Sequence, residues 1–153
     1  MGKFVFRLEP VLLARKRVEE QQQQVHAARR RELEAAQAEL TRLDGEFRDH
    51  AQTLRHEHRS LTIDDLRLHY AHLGFLDRAI DLQMRVVSER RVLTECARQE
   101  LVQASKGRKV VEKLKEHRRE LFRVEELRIE QRDLDDGDAR RYVRSLHHVG
   151  GSL

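Results

Sequence analysis

Apolar residues recur along this chain in steps of three and four, in two long stretches separated by a short break. The first stretch runs Leu33, Ala36, Leu40, Leu43, Phe47, Leu54 and Leu61, with gaps at His50 and Glu57. The second runs Leu73, Leu76, Ile80, Val87, Ala97, Leu101 and Ala104, with gaps at Gln83, Arg90 and Thr94. This period places one narrow stripe along each helix, and two such stripes can be buried only against each other. The pattern therefore predicts an all-α fold: a long antiparallel two-helix coiled-coil hairpin with a short helix at the tip, forming one domain over residues 1–153.

Local signals set the expected elements. Residues 1–8 form an apolar and basic leader with Phe4, Phe6 and Leu8 on alternate positions, and Pro10 falls in a first helical turn, where its missing N–H is no loss. Helix one is expected from about 9 to 58. Its early seam reads Val11, Ala14, Val18, Gln21, Val25, Ala28, and the step of five from Ala28 to Leu33 predicts a slip of phase there. Residues 59–75 break the pattern. Ser60 or Thr62, the latter with Asp65 three places on, can cap a helix, so a short helix over 63–73, ending near Gly74, is expected at the tip. Helix two is expected from about 75 to 134, with Gly107 as a weak point. Asp135-Asp136-Gly137-Asp138 reads as a stop or kink, 139–147 as a further helical segment, and the end from Val149 as frayed. A helix of about 50 residues is about 75 Å long, so the expected molecule is a rod rather than a globule.

Composition narrows the function. Charged residues make up 38% and aromatics 5%, with no Trp, so no ordinary globular core is available. Both charge signs are abundant, with a net +4, which suits a solvated helix surface. Cys96 is the single cysteine and cannot form an internal disulfide, which fits a reducing compartment. No apolar run reaches the roughly 20 residues of a membrane span, and the N-terminus turns charged too early for a signal peptide. Contact with a membrane would go through a partner.

No catalytic pattern stands out: no Gly-rich phosphate loop, no Cys-x-x-Cys, no His-Glu-x-x-His. No enzyme activity, cofactor or metal is expected. His69 and His72 are placed to share a helix face, whereas His56 and His58 point apart. The basic run Lys106, Arg108, Lys109, Lys113, Lys115, Arg118, Arg119 is interleaved with Glu112, Glu116 and Glu120, which reads as a solvated face with ion pairs along the helix. Nucleic acid is therefore not an expected partner, although the residues alone leave open a basic coiled-coil protein that binds nucleic acid or a cytoskeletal element. One feature exceeds what a hairpin needs. Phe75, Ala79, Leu82, Val86, Leu93 and Cys96 lie off the seam of helix two. They form either a contact surface or a seat for the tip helix, with its Ile63, Leu66, Leu68 and Tyr70, folded back over them.

Several segments, in order, resemble the FliJ family of the bacterial flagellar type III export apparatus. They are the leader Phe4-Val5-Phe6-Arg7-Leu8-Glu9-Pro10-Val11-Leu12 with Arg15 and Arg17; Tyr70 with Leu76-Asp77-Arg78-Ala79-Ile80 and Gln83; Lys109-Val110-Val111-Glu112-Lys113-Leu114; and Glu130-Gln131-Arg132-Asp133-Leu134-Asp135-Asp136. The resemblance covers nearly the whole chain and extends to counterparts in virulence secretion systems. It implies an antiparallel coiled coil similar to the stalk of rotary ATPases, whose terminal end enters the export ATPase hexamer. It further implies contact with the cytoplasmic domain of the export gate and escort of export chaperones, in the cytoplasm at the inner membrane of the flagellar base. By resemblance the gate contact falls on His72, Leu76, Ala79 and Gln83, and the off-seam residues add Phe75, Leu82 and Val86. The basic residues Lys3, Arg7, Arg15, Lys16, Arg17, Arg140, Arg141 and Arg144 are the expected contacts to the ATPase ring.

Overall fold

The structure is a computed structural model; it describes residues 3–149, with side chains described as far as residue 141. Two long helices carry the fold: α1, Glu9–Glu57 (49 residues), and α2, Ile63–Val149 (87 residues). No strand occurs among the described residues. The helices pack against each other antiparallel, as the partner pairs His50–His69, Ala36–Gln83, Glu32–Arg90 and Arg29–Thr94 demonstrate.

Capping chemistry sets the turn between them. The Ser60 N–H and hydroxyl both donate to the Glu57 carbonyl, at 2.9 and 2.8 Å, and close the end of α1. Two residues later Thr62 and Asp65 form the expected reciprocal cap. The Asp65 N–H donates to Thr62 Oγ1 at 3.2 Å, while Asp65 Oδ2 accepts from the Thr62 N–H at 3.1 Å and its hydroxyl at 2.6 Å. These bonds hold the Asp65 carboxyl below the usual carboxylate range.

The expected separate tip helix is not present. Residues 63–73 are the first turns of α2, which runs straight through Gly74, where the carbonyl accepts from Arg78 Nε at 3.1 Å. The helical cost of one glycine, about 1 kcal/mol, is too small to end a helix whose neighbours are good helix formers on both sides. The same holds at Asp135–Asp138, read as a stop or a kink: α2 does not stop there but continues to Val149, and Gln131 Nε2 donates to Asp135 Oδ1 at 3.0 Å. Residues 150–153 of the expected frayed end lie outside the described residues.

The chain divides into two compact units. One is Arg17–Ser105. Its α2 seam keeps a strict alternation of steps four and three through His69, Leu73, Leu76, Ile80, Gln83, Val87, Arg90, Thr94, Ala97, Leu101 and Ala104, all buried or half-buried. Its α1 seam does the same through Gln22, His26, Arg29, Leu33, Ala36, Leu40, Leu43, Phe47, His50 and Leu54. The expected phase slip after Ala28 is thus absent. Val18, Val25 and Ala28 are exposed, and the polar residues one place further along occupy the seam. The apolar pattern misled because it follows the exposed valines rather than the helix that covers the seam. The gaps at His50, Gln83, Arg90 and Thr94 are seam positions whose polar groups bond across the interface. Gln83 Nε2 donates to the Ala36 carbonyl at 2.9 Å, and the Thr94 hydroxyl to the Arg29 carbonyl at 3.2 Å. Arg90 pairs with Glu32, which also accepts from Arg29 at 3.0 Å. Hydrogen bonding from Arg29, aided by the charge of Arg90, keeps the Glu32 carboxyl below its ordinary range.

The other unit joins Met1–Lys16 to Lys106–Leu153. Phe6 and Leu12 are buried, and Phe4 meets Phe122 with ring centroids 5.6 Å apart. Glu9 receives Lys115 Nζ at 2.7 Å, and Lys16 Nζ lies 3.6 Å from Glu112. Basic residues read as solvated thus also tie α2 to α1. Gly107, expected to be a weak point, is a contact: the Arg15 guanidinium lies 3.2 Å from where a Cβ would stand. Beyond Glu126, residues 127–136 of α2 are exposed all round.

Candidate docking interface

Within the unit Arg17–Ser105, α2 carries a second stripe in addition to its seam. Leu68, His72, Phe75, Ala79, Leu82, Val86, Leu93 and Cys96 each stand one residue before a seam position, about 100° round the helix. Phe75 is 60% exposed, Leu82 61%, Leu93 42% and Val86 36%, while Ala79 lies at the edge between stripe and seam. The first turns of α2 do not cover them. Ile63, Leu68 and Tyr70 are themselves more than half exposed, since the continuous helix cannot fold back on itself. The stripe is thus an open apolar face, of a kind that marks contact sites on water-exposed helices.

The residues expected at the gate contact fall on both stripes. Leu76 is 2% exposed and packs in the seam, and Gln83 spends its amide on the Ala36 carbonyl. Neither presents its side chain outward in this packing. His72, Phe75, Leu82 and Val86 do, and His72 stacks on Phe75 with centroids 6.4 Å apart. Leu68, assigned to a tip helix from the sequence, extends the outer stripe by one more turn. The signal for it was the same alternation of four and three, read through Gly74 instead of stopping there.

The expected basic contacts are spread along the chain. Lys3 and Arg7 are exposed beside the part of α2 near Phe122. Arg140 stands 18 residues past that point (140 minus 122), about 27 Å of helix. Arg141 lies 3.9 Å from Asp138, and the Arg144 side chain lies outside those described. Arg15 and Lys16 are engaged with Gly107 and Glu112, and Arg17 is exposed. No group of three or more potential metal ligands among the described residues is arranged to hold an ion, and no described helix is long and apolar enough to cross a membrane.

The family model described as the flagellar FliJ protein matches residues 4–147, nearly the full length of both helices and the leader. The chain belongs to the FliJ family. Membership makes this FliJ-family chain a component of flagellar type III protein export. Among solved structures it is similar to a chain from Chlamydia trachomatis described as a YscO homolog, CT670. That match has 20% identity over 98% of this chain and 100% of the other, with a TM-score of 0.49. No curated protein matches it significantly.

Proposed function

We propose that this FliJ-family chain is a non-enzymatic coiled-coil stalk of the export apparatus. In this reading it associates with the export ATPase ring, engages the cytoplasmic domain of the export gate and escorts export chaperones. Its place is the cytoplasmic face of the inner membrane, reached through partners. The observation that carries the reading is the outer stripe of α2. A chain that needs only one seam to pair its helices keeps a second, heptad-spaced apolar face open to water, and that exposure is costly unless a partner covers it. Burying a side chain such as Phe75 or Leu82 is worth about 1.5–3 kcal/mol, so three or four anchors suffice for a specific contact.

Phe75, Leu82 and Val86 are the anchors in this reading, with His72 and Ala79 at the margin. Leu76 and Gln83 act indirectly, by fixing the rotation of α2 that turns the stripe outward. On the ATPase side, Lys3, Arg7, Arg17, Arg140 and Arg141 supply exposed positive charge that steers encounter with an acidic ring. Arg15 and Lys16 contribute through the packing of α1 on α2. The test is a binding titration of the purified gate domain against wild type and the Leu82→Asp/Val86→Asp double variant. Loss of at least about tenfold in affinity with unchanged helicity supports the reading, a loss of about 1.4 kcal/mol or more. Equal affinity, or loss of helicity together with binding, overturns it.

A further inference from the structure

Three imidazoles meet where α1 ends and α2 begins. His50 Nε2 lies 3.1 Å from His69 Nδ1, with ring centroids 5.0 Å apart. The His72 ring stands edge-on to His50 at 4.7 Å and stacks on Phe75 on its other side. His50 and His69 are seam residues, and their contact is the last cross-helix polar bond before the turn among the described residues. From α1, Glu46, Asp49 and Thr53 line the side of His50 and His72. From the start of α2, Asp65 faces His69 electrostatically. On the opposite side Arg55, His58 and Tyr70 border Leu54 and Leu73.

We propose that this cluster is a proton-sensitive clasp, closing the turn end of the helix pair when at most one of its facing rings is protonated and opening it on acidification. The contact between His50 and His69 needs one N–H and one lone pair. The neighbouring carboxylates Asp65, Asp49 and Glu46 accommodate a first positive charge. A second puts two N–H groups and two like charges face to face at 3.1 Å, with the third ring beside them. The bond is then lost and the rings separate.

Burial, then the neighbouring His72 and His69, hold His50 below the ordinary histidine range. A lowered value in the closed form means that the open form binds more protons. The contribution of His50 to closure is therefore complete above about pH 6.5 and lost as pH falls through the lowered value. Opening also frees His72 from His50, and so alters the first turns of the outer stripe. That consequence rests on reading the stripe as a docking face; the clasp itself does not.

Amide hydrogen exchange on the isolated chain tests it without any partner, so failure of gate binding and failure of the clasp are told apart. Protection of residues 44–76, corrected for intrinsic rates, is compared at about pH 7.5 and about pH 5.5. Wild type is expected to lose about tenfold, and His50→Gln or His69→Gln, which keep polar side chains but do not titrate, less than about twofold. Equal losses in wild type and variants, or no loss in wild type, overturn the proposal. Should a variant open the turn at neutral pH, titration of the imidazole resonances in wild type decides. His50 titrating below the ordinary histidine range supports the clasp, and His50 titrating as an ordinary histidine refutes it.

Discussion

The rotation of α2 decides which residues hold the molecule together and which are left for a partner, and adjacent residues on the two stripes make it measurable. Leu76 is 2% exposed and Leu82 61% exposed, although both are leucines less than two turns apart on one helix. Truncating a buried leucine to alanine removes its burial and leaves a cavity, at a cost of about 2–5 kcal/mol in well-enclosed cores. The seam between two helices is narrow and water reaches its edges, so Leu76→Ala belongs at the low end, about 2–3 kcal/mol. Leu82→Ala removes little buried surface and exchanges one strong helix former for another, so it changes stability by less than about 0.5 kcal/mol. Exchange of the seam amides around Ala36–Leu43 and Leu73–Val87 reads the unit directly. About 2 kcal/mol appears there as an increase of about 30-fold in opening for Leu76→Ala and almost none for Leu82→Ala. In urea the same cost moves the midpoint by about 1 M for a slope of about 2 kcal/mol/M. Equal losses for both variants would mean that Leu82 is buried as Leu76 is and remove the outer stripe, and a larger loss for Leu82→Ala would place the seam one residue earlier.

Other consequences are as specific. Gly74→Ala and Gly137→Ala, where an added Cβ meets nothing within 4 Å and the backbone is helical, should each stabilise by up to about 1 kcal/mol, read as a higher melting temperature; destabilisation at Gly74 would reveal a bend that the helix needs. Phe4→Ala should release the leader from Phe122, at a cost of about 1 kcal/mol, seen as faster tryptic cutting after Arg7 with the rest of the chain intact. Thr62→Ala should cost about 1 kcal/mol by removing the cap of α2. Because Asp65 is depressed in the folded state, its contribution is present above about pH 4 and fades as pH falls through the lowered value, so acid titration of exchange at residues 63–66 should report fraying in wild type but not in Asp65→Asn. Finally, Lys3→Glu/Arg7→Glu/Arg17→Glu should lower stimulation of the export ATPase while leaving thermal stability unchanged, whereas Lys16→Glu should lower stability by breaking its pair with Glu112; the opposite pattern would exchange their roles.

Much of this protein was legible in its residues because a helix pair is built from local rules. The spacing of Leu40, Leu43, Phe47, Leu73, Leu76 and Ile80 dictated two helices and their antiparallel pairing. Thr62 with Asp65 marked a helix start, although it was read as that of a short tip helix rather than of α2, and the scarcity of aromatics ruled out a globular core. The order of short segments pointed to the FliJ family that the match over residues 4–147 establishes. Tertiary packing decided the rest. Val18 and Val25 look like seam residues and are not, while Gln22, His26 and Arg29 look like surface and lie between the helices. Apolarity says only that a side chain prefers to leave water, and the rotation of each helix against its partner selects which of two neighbouring stripes does so. For the same reason Leu76 turned inward and Phe75, Leu82 and Val86 outward. His50, His69 and His72, separated by up to 22 positions (72 minus 50), became one cluster only because the chain doubles back there.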